Sequence, residues 1–319
     1  MVHNAQQLTS IWTKNSPSGR YGSVTFGFDS INQRDVAVKR ILMRNDEPDE
    51  YYFTEIEMLY KVQCRHVNQL FEAVIDESYL YIVTKKLEKD LSIALSDNII
   101  KCEIHTTRSI VLQLLQAIAY LKQKKLIHCD IKLENVMLVS INPPQIKLID
   151  FVLQKWCSTP TGRMPLISGQ WHAFQSLTKN LLFEVETEEQ LTWAFFDTLG
   201  APQDLSTETN KFDDYFNWSF EFDAYTPSSF IAAEKWIKNR NENELAQFEE
   251  IEAFFDHHNS ADMTEDVKEY VKFLHHCIIW KPEDRITSTE AVQLPFFSID
   301  YIQENYAPSY SNAAKRMLC

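Results

Sequence analysis

His128-Cys129-Asp130-Ile131-Lys132-Leu133-Glu134-Asn135, with Asp150-Phe151-Val152 beginning fifteen residues after Asn135, is the stretch on which the reading of this chain turns. It sets three carboxylates, an ammonium and an amide in two short segments. An isolated Asp or Asn in a loop is most often a turn former, but the joint order of Asp130, Lys132, Asn135 and Asp150 argues against four unrelated turns. Between the segments, Val136 to Val139 and Gln145 to Ile149 carry strand signals joined by the turn Asn142-Pro143-Pro144, which predicts a small hairpin. Just upstream, Ile110, Leu114, Leu115, Ile118 and Leu121 form one apolar stripe and predict a helix from Thr106 to Gln123.

Farther toward the amino terminus the pattern changes. Val24 to Phe28, Asp35 to Leu42, Gln69 to Ile75 and Tyr79 to Thr84 are short alternating runs bounded by turn residues, the signature of antiparallel strands. Between Tyr51 and Val62, Ile56, Leu59, Tyr60 and Val62 recur at helical spacing after the start signals Asp46, Pro48 and Asp49. These runs are expected within an order of three strands, a helix and two strands. From Leu91 onward longer helical periods dominate. The expected architecture is α+β in two lobes: residues 1–11 as an extension, 12–84 as a sheet-rich lobe, 85–90 as a hinge, 91–301 as a helix-rich lobe and 302–319 as a tail. The stretch from Ser206 to Asn217 is acidic and poorly patterned, and reads as a surface insertion.

Composition narrows the function. A formal net charge of −14 repels phosphate backbones, so direct nucleic-acid binding is not expected. No stretch approaches the roughly 18 consecutive apolar residues of a membrane span, and Met1 to Ser18 lacks the layout of a secretory signal. An intracellular protein of nucleus or cytoplasm is expected, without a membrane partner. The six cysteines show no C-x-x-C spacing and read as free thiols. His257-His258 and His275-His276-Cys277 are adjacent residues, which point in different directions on a helix and offer no shared metal-ligand face.

Phosphoryl transfer requires a carboxylate that orients the acceptor, metal ligands and a cation on the phosphates. The two opening segments resemble the catalytic loop H-R-D-x-x-x-x-N and the metal-binding turn D-F-G of the eukaryotic protein kinases. This resemblance implies the bilobal kinase fold, ATP and Mg2+ as cofactors, and a protein substrate or partner kinase. It implies that Asp130 orients the attacking hydroxyl, that Lys132 steadies the transferring phosphate, and that Asn135 and Asp150 hold magnesium. Val36-Ala37-Val38-Lys39 resembles the family's V-A-I-K strand, which puts Lys39 on the α- and β-phosphates. Glu55 and Glu57 compete to be its carboxylate partner. The family's Leu and Val, four and seven residues after the glutamate, are met by Leu59 and Val62 only from Glu55.

The resemblance extends to the nucleotide's other contacts. Pro17 stands at the first glycine of the phosphate loop, which removes a backbone donor, while Gly19 and Gly22 still let the backbone approach phosphates. Thr84 falls at the gatekeeper position, the backbone of Lys85 to Leu87 lies against adenine, and Asp90 lies near the ribose. Val24, Ala37 and Met137 are implied to flank the purine, and are equally good core residues.

The substrate side departs from the pattern. Cys129 in place of arginine narrows the resemblance to the dual-specificity tyrosine-regulated and homeodomain-interacting kinase groups, and Cys157-Ser158-Thr159 with Leu199-Gly200-Ala201-Pro202 fits the second. That group's activating tyrosine is Pro160 here. Val152 replaces the glycine of D-F-G, and its β-branch restricts the turn. Leu166 replaces the glutamate of A-P-E, so Arg285 in Lys281-Pro282-Glu283-Asp284-Arg285-Ile286 lacks its expected partner and needs another. Gly169 stands where the family anchors its catalytic loop with an aspartate. Leu294-Pro295-Phe296-Phe297 resembles the motif that closes the domain. Two functions are expected: a Ser/Thr protein kinase of reduced or restricted activity, or alternatively a pseudokinase serving as a regulatory binding module.

Overall fold

The computed structural model describes residues 2–4, 11–14, 18–19, 22–43, 53, 56–57, 59–76, 78–87, 89–101, 103–126, 128, 131–150, 261–277 and 284–318. The sheet-rich lobe contains strands β1 (Val2–Asn4), β2 (Ile11–Lys14), β3 (Ser18–Gly19), β4 (Gly22–Asp29), β5 (Arg34–Leu42), β6 (Leu70–Asp76) and β7 (Tyr79–Lys85). Among the described residues these form one seven-stranded sheet in the order β1-β6-β7-β5-β4-β2, with β3 paired to β4. The pairs are antiparallel apart from β1, which adds to β6 in parallel. Three residues are too short a run to show alternation, so β1 carries no sequence signal.

Alternation along β5 explains its two faces. Val36 and Val38 are buried with Val83 against Phe71 and Tyr81 on one side of the sheet. Ala37 and Lys39 lie on the other, opposite Thr84 and Ile82. Ile82 and Leu80 pack there against Ile56 and Leu59, and Phe53, Ile56, Glu57, Leu59, Tyr60 and Lys61 are helical where a helix is predicted.

After β7 come β8 (Lys89–Asp90), α1 (Leu91–Ser96), α2 (Ile104–Gln123), β9 (Val136–Ile141), β10 (Pro144–Leu148), α3 (Ala261–Cys277), α4 (Ser288–Ala291), α5 (Ile299–Asn305) and α6 (Pro308–Met317). The predicted hairpin is β9 and β10, and β8 extends it to three strands. Helix α2 differs from its predicted single stripe, because it is buried on two faces. Ile110, Leu114, Ala117 and Leu121 pack toward α1 and the hairpin through Leu91, Leu133, Ile146 and Leu148. Ile104, Val111 and Leu115 pack toward α3 and Phe296 through Val267, Tyr270 and Leu274. Leu115 thus belongs to the second face. Each large apolar side chain so buried contributes about 1.5–3 kcal/mol.

Arg108, a charged residue on α2, is fully buried. It forms an ion pair with Asp266 of α3, donates from Nε to the Phe296 carbonyl at 2.6 Å, and lies over the Phe296 ring. Tyr310 of α6 donates its hydroxyl to Asp266 at 2.6 Å. The carboxylate therefore joins three helices. Arg285 is buried too, and is not without a partner. Cys64 and Cys277 are free thiols, and no helix among the described residues is long and apolar enough to cross a membrane.

Candidate functional site

Lys39 reaches across the lobes. Its ammonium, on a side chain only 16% exposed, forms an ion pair with Asp150, which follows β10. Asp150 takes a positive φ of 58°, a conformation that Asp tolerates better than most residues. The preceding Ile149 is fixed from both ends. Its N–H donates to the Asn135 carbonyl at 3.0 Å, and its carbonyl accepts from His128 Nε2 at 3.0 Å. Asn135 closes a short 3-10 turn (Leu133–Asn135), its N–H donating to the Lys132 carbonyl at 2.9 Å. Buried His128 and Asn135 thus set the position from which Asp150 meets Lys39.

The sheet collects the remaining predicted residues on the face that carries Lys39. Directly opposed residues of neighbouring strands share a face. Val24 opposes Lys39, and Ala37 opposes Thr84. Gly19 and Gly22 form the last pair of the β3–β4 hairpin. Where β7 ends, Leu87 is buried, the Lys85 N–H donates to the Gln69 carbonyl at 3.3 Å, and the Lys85 carbonyl accepts from Asn68 Nδ2 at 3.0 Å. A carbonyl has two lone pairs, so this bond leaves one. Asp90 opposes Met137 between β8 and β9. One Asp90 oxygen caps α1 by accepting from the Ile93 N–H at 2.8 Å.

Of the two competing glutamates, Glu57 is exposed and ion-paired with Lys61 one turn on. Glu55 lies outside the described residues, as do Asp130, Cys129, Pro17, Val152, Pro160, Leu166 and Gly169. Cys157-Ser158-Thr159, Leu199-Gly200-Ala201-Pro202 and His257-His258 lie outside them too. His276 directs Nδ1 to the Lys272 carbonyl at 2.6 Å while Cys277 is buried, which matches the divergence expected of neighbours on a helix.

Three contributors escaped the sequence reading. Phe26, two residues past Val24, shares its face and opposes Ala37, with the Lys86 ammonium 5.7 Å from its ring centroid. The strand period could have found it. Asn68 braces the end of β7, and its N–H also donates to the Leu148 carbonyl at 2.8 Å. The Leu148 N–H returns a bond to the His66 carbonyl at 2.8 Å. Residues 66–68 therefore hold the end of β7 and the approach to Asp150 together, a long-range role with no local signal.

A protein kinase domain model matches residues 17–193, more than half of the chain. The chain belongs to the protein kinase domain family. It is 33% identical over 138 residues to the serine/threonine-protein kinase dkf-2 of Caenorhabditis briggsae, a match covering 42% of this chain and 12% of that protein. It is 25% identical over 291 residues to the probable cyclin-dependent kinase 10 of Dictyostelium discoideum, covering 88% of this chain and 76% of the relative. It is 22% identical over 287 residues to the mouse serine/threonine-protein kinase MAK, covering 89% and 44%. Several of these kinases are thus much longer than the part this chain matches.

Proposed function

We propose that this chain binds ATP with Mg2+ and transfers the γ-phosphoryl group to Ser or Thr hydroxyls of protein substrates, at reduced or restricted activity. The observation that carries this reading is the meeting of Lys39 with Asp150, a phosphate-seeking cation and a hard oxygen ligand from opposite lobes. The donor set suits the metal, because carboxylate and amide oxygens of Asp150 and Asn135 are the ligands Mg2+ prefers, with phosphate oxygens and waters completing its shell. When bound, Mg2+ and ATP supply the phosphoryl group and neutralise its charge. In this reading Lys39 faces the α- and β-phosphates with Glu55 as its support, and Gly19 and Gly22 admit the phosphates to the backbone. Val24, Ala37 and Met137 flank the base, under Thr84 and the backbone of Lys85 to Leu87. The uncapped oxygen of Asp90 faces the ribose. Lys132 steadies the moving phosphate, and Asp130 orients the attacking hydroxyl. The lobes divide at residues 85–90, and Cys129, Cys157-Ser158-Thr159 and Leu199-Gly200-Ala201-Pro202 support a place near the homeodomain-interacting kinases.

The same ion pair favours a second reading. Lys39 and Asp150 neutralise each other, and with Pro17, Val152 and Leu166 in the sequence this supports a pseudokinase that engages a partner kinase through its surface. Thermal unfolding with Mg2+ and ATP tests the site, since a ligand held at a hundred times Kd adds about 2.7 kcal/mol of apparent stability. An unchanged transition would overturn nucleotide binding. Radiolabel transfer to a Ser/Thr substrate then compares wild type with Asp130→Asn. Loss of transfer in the variant supports catalysis, equal transfer assigns the chemistry to a contaminant, and binding without transfer favours the pseudokinase.

A further inference from the structure

We propose that Arg65, Lys85 and Lys147 form a docking site for an acidic peptide segment of a partner protein. All three are tied to the 65–68 segment. Lys147 of β10 donates from Nζ to the carbonyls of Arg65 and Val67 at 2.8 and 2.9 Å, which fixes its ammonium beside the 65–68 segment. Arg65 is held by His66 and Gln116, its Nε 2.8 Å from His66 Nε2 and its Nη2 donating to Gln116 at 3.3 Å. Lys85 ends β7, where Asn68 binds its carbonyl. Arg65 and Lys85 are exposed, and Lys147 is partly so.

Among the described residues no carboxylate neutralises their charge, since no ion pair joins any of the three to one. The crowding is felt. Burial and then Lys85 hold the Lys147 ammonium below its ordinary value, and burial followed by Arg65 holds down His66. On a chain of net charge −14 this is a local positive field. Within a Debye length of about 8–10 Å it attracts carboxylates, while the rest of the molecule repels an extended polyanion. A short acidic segment fits that field better than a nucleic acid.

Fluorescence anisotropy of a labelled hexaglutamate peptide with the full chain at low salt tests the site. Saturable binding that weakens with added salt is expected. Arg65→Glu with Lys85→Glu should weaken it at least about tenfold, and Lys122→Glu with Lys124→Glu and Lys125→Glu, a larger charge change elsewhere, should have less than about a twofold effect. Arg65→Gln with Lys85→Gln is the milder pair should the reversal impair folding, and should weaken binding at least about threefold. Absence of saturable binding, equal losses in the docking and control variants, or tighter binding of an oligouridylate than of the peptide would each overturn the proposal.

Discussion

Tilted at 59° against Tyr310 with 4.6 Å between ring centroids, and with Nδ1 2.9 Å from Arg108 Nη1, His105 is held down at about 4 by burial first and by Arg108 second. The unfolded chain takes up this proton near 6.5. Above that value His105 is neutral in both states and its environment carries no acid penalty. As pH falls through the window from 6.5 to about 4 the unfolded state binds the proton first, so stability is lost. The unfolding temperature of His105→Gln should vary less across that window than that of wild type. A parallel slope would place the acid sensitivity elsewhere. At the candidate site, Lys39→Met removes one partner of the Asp150 ion pair, and should abolish the rise in unfolding temperature produced by Mg2+ and ATP while the variant stays folded by circular dichroism.

Between residue and molecule, Asp90 has two duties to separate, as cap of α1 and as a proposed ribose contact. Asp90→Ala should cost about 1 kcal/mol by loss of the cap, whereas Asp90→Asn retains a capping oxygen and should cost only a few tenths. If both weaken ATP affinity alike, the charge and not the cap matters to the ligand. Leu114→Ala on α2 should cost about 2–5 kcal/mol in chemical denaturation, since Leu114 sits in the core that links the hairpin to the helices. Elements of this kind were legible in the sequence. Strands β4 to β7 showed their alternation, and α2 showed one of its stripes. The second face of α2 was hidden because its amino-terminal turns read Thr106-Thr107-Arg108-Ser109, polar residues that are all buried here. At the site, Lys39, Asn135 and Asp150 were legible through motif spacing. The bracing by His66, Val67 and Asn68 was not, because its bonds run to partners far away in sequence.

Across the whole molecule, the carboxyl-terminal helix is tied into the fold. Tyr310 reaches Asp266, whose carboxylate is fully buried and already committed to Arg108. Ending the chain after Tyr306 would strip that carboxylate of its neutral donor and uncover Ile302 and Ala314's neighbours in the small terminal cluster. The truncated chain should lose at least about 2 kcal/mol, since a hydrogen bond to a buried charge contributes about 1.5–3 kcal/mol. Tyr310→Phe should show most of the same loss, and an unchanged unfolding temperature in both would mean that the helix is merely laid on the surface. The double burial of α2 has a kinetic side as well. With apolar contacts to the hairpin on one flank and to α3 on the other, its backbone amides cannot open without parting both. They should be the slowest in the chain to take up deuterium, and the solvent exchange of α2 should report the global opening rate when outer helices already exchange through local fraying.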